Sequence, residues 1–205
     1  RRAAAFGGLI GVHAENAEVA AFGSEEMAAH AGAPNSMHDE ARPWWVELEA
    51  IERAVLFARN TGARLYICHM TIPEGAQFIK QAKMDGVPVY AETCPHYLLF
   101  DKSIMDERGA FAKCNPPIRS REQVEKLWNY VFDGTIDTLG SDHGPYTDKE
   151  KQKNGNFFLE YSGFGGFDAM LAGMITEGVH KRGLPLTTLS RITATNTAAI
   201  MGLAP

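Results

Sequence analysis

Four short apolar runs, separated by longer segments with helical spacing, set the strongest limit on what this chain can fold into. The runs are Leu9–His13 (LIGVH), Leu65–His69 (LYICH), Val87–Ala91 (VPVYA) and Ile136–Ser141 (IDTLGS). Residues 45–59 place Val46, Leu48, Ile51, Val55 and Phe57 among Glu47, Glu49, Glu52 and Arg53, as an amphipathic helix would. Residues 72–84 open on Ile-Pro-Glu-Gly, which suits a helix with Pro73 at its first position. Residues 123–132 carry Val124, Leu127, Trp128 and Val131 on one side. Residues 167–179 and 186–201 predict two further helices, the second stopped by Gly202 with Pro205 beyond. Strands that alternate with helices predict parallel βαβ units, because a parallel connection needs a crossover. Short, uniformly apolar strands fit a sheet covered on both faces.

Two stretches, Phe22–Arg42 and Gly144–Gly166, read as long glycine-containing loops, and loops of that length in a compact domain are usually functional or mobile. Lys149–Lys153 (KEKQK) reads as a solvated charge cluster. With 45% hydrophobic and 22% charged residues over 205 positions, the chain is not a disordered tail, a coiled coil or a collagen-like repeat. A net charge of −5 gives no pull toward nucleic acid or an anionic membrane, and no apolar run approaches the ~20 residues of a membrane span. The opening RRAAAFGGLIGVHAEN lacks a signal-peptide layout and reads as a chain entered in mid-fold. Cys68, Cys94 and Cys114 form no CxxC pair, which favours a reduced, cytoplasmic compartment; Cys68, inside an apolar run, reads as a buried small hydrophobe.

Three of the four runs end in a residue able to bind a metal: His13, His69, and Asp142 followed by His143. In α/β folds ligands sit at the carboxyl ends of parallel strands, and in a (β/α)8 barrel those ends form one ring. Imidazole and carboxylate at such a rim, without a thiolate cluster, favour zinc or a similar divalent ion in a catalytic role. Each residue also has a plainer reading, since a lone strand-end histidine is often a hydrogen-bonded structural group and an aspartate there is often a turn residue. His30, His38 and His180 lack such placement and read as surface residues. His96 and His143 lie near the expected rim, as supporting or substrate-facing groups.

GVHAEN at 11–16, ICHMT at 67–71, ETCPHYLLFD at 92–101, KCNPPIR at 113–119 and GSDHGPY at 140–146 resemble, in order and spacing, the cyclic amidohydrolases of the hydantoinase and dihydropyrimidinase group, with allantoinase close by. TNTAAIMGL at 195–203 resembles the segment that follows the barrel in these enzymes. The resemblance implies a partial (β/α)8 TIM barrel of about the last four strands. Residues 1–205 would be its C-terminal part, without the N-terminal half and the small β-domain. It implies two Zn2+ per active site, bridged by a carboxylated lysine and a hydroxide. His13 and His69 match ligands of the second ion. Asp142 matches the aspartate that binds the first ion and shuttles the proton. Asn115, and Ser162 or the backbone at Gly163, match substrate contacts. The family's His-x-His pair and bridging lysine have no counterpart here, so the chain taken alone is expected to be inactive. The activity implied for the parent is ring opening of a hydantoin or dihydropyrimidine to an N-carbamoyl amino acid, in a homo-oligomer that is a dimer or tetramer. Allantoin hydrolysis to allantoate, or a non-catalytic assembly role, are the alternatives.

Overall fold

The computed structural model describes residues 1–203, apart from the side chains of residues 168 and 169, so the expected Pro205 lies outside the described residues. Four strands, β1 (Leu9–Val12), β2 (Arg64–Ile67), β3 (Val89–Thr93) and β4 (Thr138–Leu139), form one sheet in the order β1-β2-β3-β4. Every pairing is parallel, with Gly11 beside Tyr66, Tyr66 beside Tyr90 and Thr93 beside Leu139. The helices between them are α1 (Ala17–Ala29), α2 (Trp44–Thr61), α3 (Pro73–Met84), α4 (Arg121–Phe132) and α5 (Phe167–Met174), with shorter turns between. This is the fold of a partial (β/α)8 barrel. Among the described residues, β1 and β4 are its two open edges.

Local chemistry accounts for the elements. Pro73 occupies the first turn of α3, where its missing N–H costs nothing. Ser120 caps α4 by accepting from Gln123 N. Gly62 ends α2 at φ 70°, a left-handed conformation in which a Cβ would be strained. Leu65, Ile67, Val89 and Ala91 pack outward against Ile51, Val55, Ile79 and Leu127 in one buried core. At roughly 1.5–3 kcal/mol for each fully buried aliphatic side chain, this layer dominates the favourable terms. The indole of Trp128, also buried, donates to Leu98 O at 3.0 Å.

Several expectations are corrected. Phe22–Arg42 is not a loop: α1 runs through its first third, and short helical turns occupy residues 35–41. Gly23, inside this stretch, lets α1 approach the Ala41 carbonyl so closely that a Cβ would overlap it. Asn16 starts this helix by accepting from Val19 N at 3.3 Å. His38 is not on the surface; it is 1% exposed. Lys151 is not part of a solvated cluster: its ammonium is buried and donates to three backbone carbonyls, Lys113 at 3.1 Å and Tyr161 and Gly163 at 2.9 Å. Cys68 is half-buried rather than enclosed. Residues 186–201 are helical but loosen into a π-helical stretch at Arg191–Thr195. Residues 144–166 are largely irregular, with short helical turns at Asp148–Lys151 and Phe157–Leu159.

Candidate active site

The inner face of the sheet is polar. Tyr66 places its hydroxyl 2.6 Å from Thr138 Oγ1 and donates to Glu92 Oε1 at 3.2 Å. Glu92 Oε2 accepts from the backbone N of His69 at 2.9 Å. Burial raises the Glu92 pKa, against the hydrogen bonds that favour its charged form. A side chain at Gly140 would overlap the Glu92 carboxylate, which explains why glycine follows β4.

At the carboxyl ends of these strands stand the residues expected there. His13 follows β1 directly, His69 lies two residues past β2, and Asp142 three past β4. His69 and Asp142 are the two non-glycine residues with positive φ among the described residues, at 38° and 43°. That conformation costs energy for an L-residue, and such strain gathers at functional sites.

His13 and His69 meet edge to face, with Nδ1 of the first 3.0 Å from Nε2 of the second. Their protonation follows from their neighbours. His13 Nε2 donates to Glu15 Oε2 at 2.8 Å, and Arg42 holds the same carboxylate with two bonds of 3.0 and 2.6 Å. Against its burial, the bonds to His13 and Arg42 bring Glu15 down to about 2, so it stays ionised. With His13 Nε2 donating to Glu15, the tautomer that completes the pair has His13 Nδ1 accepting from His69 Nε2. That leaves the lone pair of His69 on Nδ1, which is buried without a hydrogen-bond partner. Burial, and then the neighbouring His13, push the His69 pKa down and favour the neutral form. The two ring nitrogens that face each other, His13 Nδ1 and His69 Nε2, share one proton, and once it is displaced both could donate to a zinc-type ion, with the His13 ring braced by a carboxylate. Two nitrogens on one tetrahedral zinc stand about 3.3 Å apart, given bonds of roughly 2.0–2.1 Å. Asp142 is exposed and near enough that its charge acts on His69, Glu92 and Cys114. Among the described residues, no three His, Cys, Asp or Glu side chains form a ready-made metal cluster. The donor set therefore fits part of a metal centre.

The expected substrate contacts form a second group. Asn115 Oδ1 accepts from His38 Nε2 at 3.0 Å, and the same N–H reaches Cys114 O at 3.1 Å. Gly163 N donates to Lys113 O at 2.9 Å, so the segments bearing Asn115 and Ser162 are stitched together. Lys113 Nζ, also buried, donates to Phe158 O and Glu160 O at 2.7 Å each. Of the two histidines expected near the rim, His96 is buried against Phe164 and His143 is exposed beside Phe167. His30 and His180 are exposed, as expected.

The sequence reading missed Glu15, Arg42, Glu92 and His38. Glu15 had a signal, an acid two residues after a strand-end histidine. The others act across long sequence separations and had none.

No family model matches the chain. Curated relatives do. Allantoinase of Escherichia coli O1:K1 is 37% identical over 192 residues, covering 94% of this chain and 42% of that protein, and allantoinase of Salmonella newport matches to the same extent. Among solved structures, L-hydantoinase (dihydropyrimidinase) from Arthrobacter aurescens superposes with a TM-score of 0.94 at 33% identity, over 100% of this chain and 46% of that one. Dihydropyrimidinase from Brevibacillus agri gives 0.92 at 29% identity, over 100% and 45%. The chain is homologous to the cyclic amidohydrolases. It spans 42–46% of the length of these relatives. In the part it carries, His13 and His69 meet at the tips of β1 and β2, and Asp142 stands three residues past β4.

Proposed function

We propose that this chain supplies one half of the active site of a metal-dependent cyclic amide hydrolase that opens hydantoin or dihydropyrimidine rings to N-carbamoyl amino acids. One observation carries the reading: His13 Nδ1 and His69 Nε2 face each other at 3.0 Å, with Asp142 on strained backbone just past β4 of the same sheet. His13 and His69 would hold one of two zinc ions, and Asp142 would contribute to the other. Bound metal supplies a nucleophilic hydroxide at neutral pH and polarises the ring carbonyl. The chain's own groups do the rest. Glu15 fixes the His13 ring and Arg42 fixes Glu15. Asp142 takes the proton of the attacking water and hands it to the leaving ring nitrogen, which would otherwise depart as an amide anion. Asn115, whose Oδ1 is occupied by His38, keeps its Nδ2 group to donate to a ring carbonyl, and Ser162, held in place by the bonds of Gly163, meets the ring's other polar edge.

Allantoin is the second reading, favoured by the 37% identity to allantoinases. Allantoin is itself a hydantoin ring bearing a ureido group, so the same attack applies. The remaining ligands and the bridging carboxylated lysine would come from outside residues 1–205, together with the rest of the barrel and the small β-domain. The working assembly is a cytoplasmic dimer or tetramer. Among the described residues, no helix is long and apolar enough to cross a membrane.

The test is a panel assay of hydantoin, dihydrouracil and allantoin with protein carrying this sequence in a complete barrel, alongside residues 1–205 alone. Zinc-dependent turnover by the complete barrel, lost on Asp142→Asn, is expected, with none from residues 1–205. No turnover of any ring by a folded, zinc-loaded barrel would overturn the reading.

A further inference from the structure

His96 was singled out by its place in the ETCPHYLLFD motif, yet no step of the hydrolysis uses it. It lines a cavity of about 550 Å³ between the segments that follow β3 and β4, a volume ordinary for a small-molecule site. Leu99 and Phe100 form one side, and Phe164 and Met170 the other. The walls all come from this chain. Phe164 lies flat against the His96 imidazole, with centroids 4.8 Å apart and planes 18° apart. His96 is 3% exposed, and its Nε2 has no hydrogen-bond partner. A buried, unpaired ring nitrogen costs about 1–3 kcal/mol, so a group that satisfies it is favoured.

The polarity of the lining narrows the occupant. Among the described residues, no lysine or arginine lines the cavity, so none of them would neutralise an anion. The one carboxylate in its wall among the described residues, Glu177, is already engaged by Lys181 at 2.9 Å and Arg182 at 3.3 Å, so it offers a cation no free partner. The aromatic faces and the bare backbone at Gly165 and Gly166 accept a flat ring.

We propose that this cavity is a binding site for a small neutral aromatic molecule carrying one hydroxyl or N–H group, which stacks among Phe100 and Phe164 and hydrogen-bonds the His96 imidazole. The site stands on its own geometry and holds whether or not the strand tips hydrolyse a cyclic amide. Ser141, beside Asp142, is part of its wall, so an occupant lies next to that aspartate's segment.

The probe is 4-methylphenol, titrated into the 205-residue chain while the His96 ring signals are followed by NMR. A saturable shift is expected, with a dissociation constant on the order of 0.1–1 mM for a ligand of about eight heavy atoms. The anion 4-methylbenzoate should bind at least about tenfold more weakly, because burial of an unpaired charge is costly. Ala172→Trp fills the cavity from an exposed position on α5 and should weaken 4-methylphenol about tenfold or more, with the fold checked by circular dichroism. Thr176→Trp, also exposed, gives a second filled variant should the first misfold. His96→Phe should lose several-fold in affinity, the worth of one hydrogen bond. Absence of a saturable shift at His96, equal binding of the anion, or unchanged affinity in a folded, filled variant would overturn the proposal.

Discussion

Two charged clusters lie a few residues apart in this molecule and are built to opposite rules. Around Arg119, every strong group is matched. Its guanidinium donates to Asp39 Oδ1 at 2.9 Å, Arg42 O at 2.7 Å, Glu47 Oε2 at 3.0 Å and Thr71 Oγ1 at 2.9 Å. Glu47 also accepts from Thr71 through its backbone N and its hydroxyl. Around His69 the matching stops short: its Nδ1 is unpaired, its backbone is strained, and its neighbour Asp142 is exposed. Arg42 takes part in both, through its carbonyl in one and its guanidinium in the other. The difference separates a cluster that holds loops in place from one whose open valences await something else. A buried network that satisfies itself is structural; one that leaves a ring nitrogen unmatched on strained backbone is prepared for a ligand.

The largest effect expected is at the closed cluster. Arg119→Ala strands two carboxylates, one of them fully buried, and should destabilise the fold by about 3–5 kcal/mol, measured by urea unfolding. Arg119→Met with Glu47→Leu removes both buried charges and should recover much of that loss. If the single and double variants were equally unstable, the pairing account of this cluster would fail.

Acid comes next, and it strikes two histidines outside both clusters. Burial holds His38 and His96 neutral, each with a pKa pushed down to about 3 from 6.5. The unfolded chain therefore binds more protons than the folded one between those values. Stability should fall as pH drops from about 6.5 toward 3, by up to about 1.4 kcal/mol per pH unit for each histidine. Glu15 acts in the same direction only lower, from 4.5 down to about 2. Urea midpoints between pH 6.5 and 5 thus read these histidines together with His69, which burial also pushes down, and against Glu92, which burial raises. His38→Gln should lower the slope by about one proton, and an unchanged slope would show that His38 is not neutral in the fold.

These cases also show what a linear sequence reveals. The parallel strands, the helices at Trp44–Thr61, Pro73–Met84 and Arg121–Phe132, and the positions of His13, His69 and Asp142 at strand tips follow from local periodicity. The burial of His38 and Lys151 does not. Each is buried because distant carbonyls meet it: Cys114 lies 76 residues from His38, and Lys113 lies 38 from Lys151. The helix at the start of Phe22–Arg42, a stretch that reads as a glycine-containing loop, is hidden for a related reason at Gly23. A glycine needed for close approach to another segment looks, in one dimension, like a glycine needed for a turn.

Gly140→Ala tests the inner face. The added Cβ overlaps the Glu92 carboxylate, so either β4 or Glu92 must shift, at a cost of about 1–3 kcal/mol. Displacing Glu92 also removes the acceptor for His69 N, so the His69 amide should exchange faster with solvent. A variant of native stability and unchanged exchange would mean that Glu92 has room to move.

The smallest change in structure sharpens the comparison most. Glu15→Gln keeps the shape of the side chain that braces His13 and removes its charge. In a closed network such a loss appears as instability, because a buried partner is left unpaired. Here Arg42 is the less buried partner, its side chain 13% accessible against 1% for Glu15, so water can take over part of its solvation. The main loss should fall on His13. A carboxylate behind a ligating imidazole makes the ring a stronger donor and fixes its tautomer, and removing such a partner typically lowers metal affinity 10–100-fold. Zinc titration of the complete barrel should show a drop of about that size while the urea midpoint moves little. A large fall in stability with zinc affinity intact would reverse the assignment, making Glu15 part of the scaffold and His13 a structural histidine.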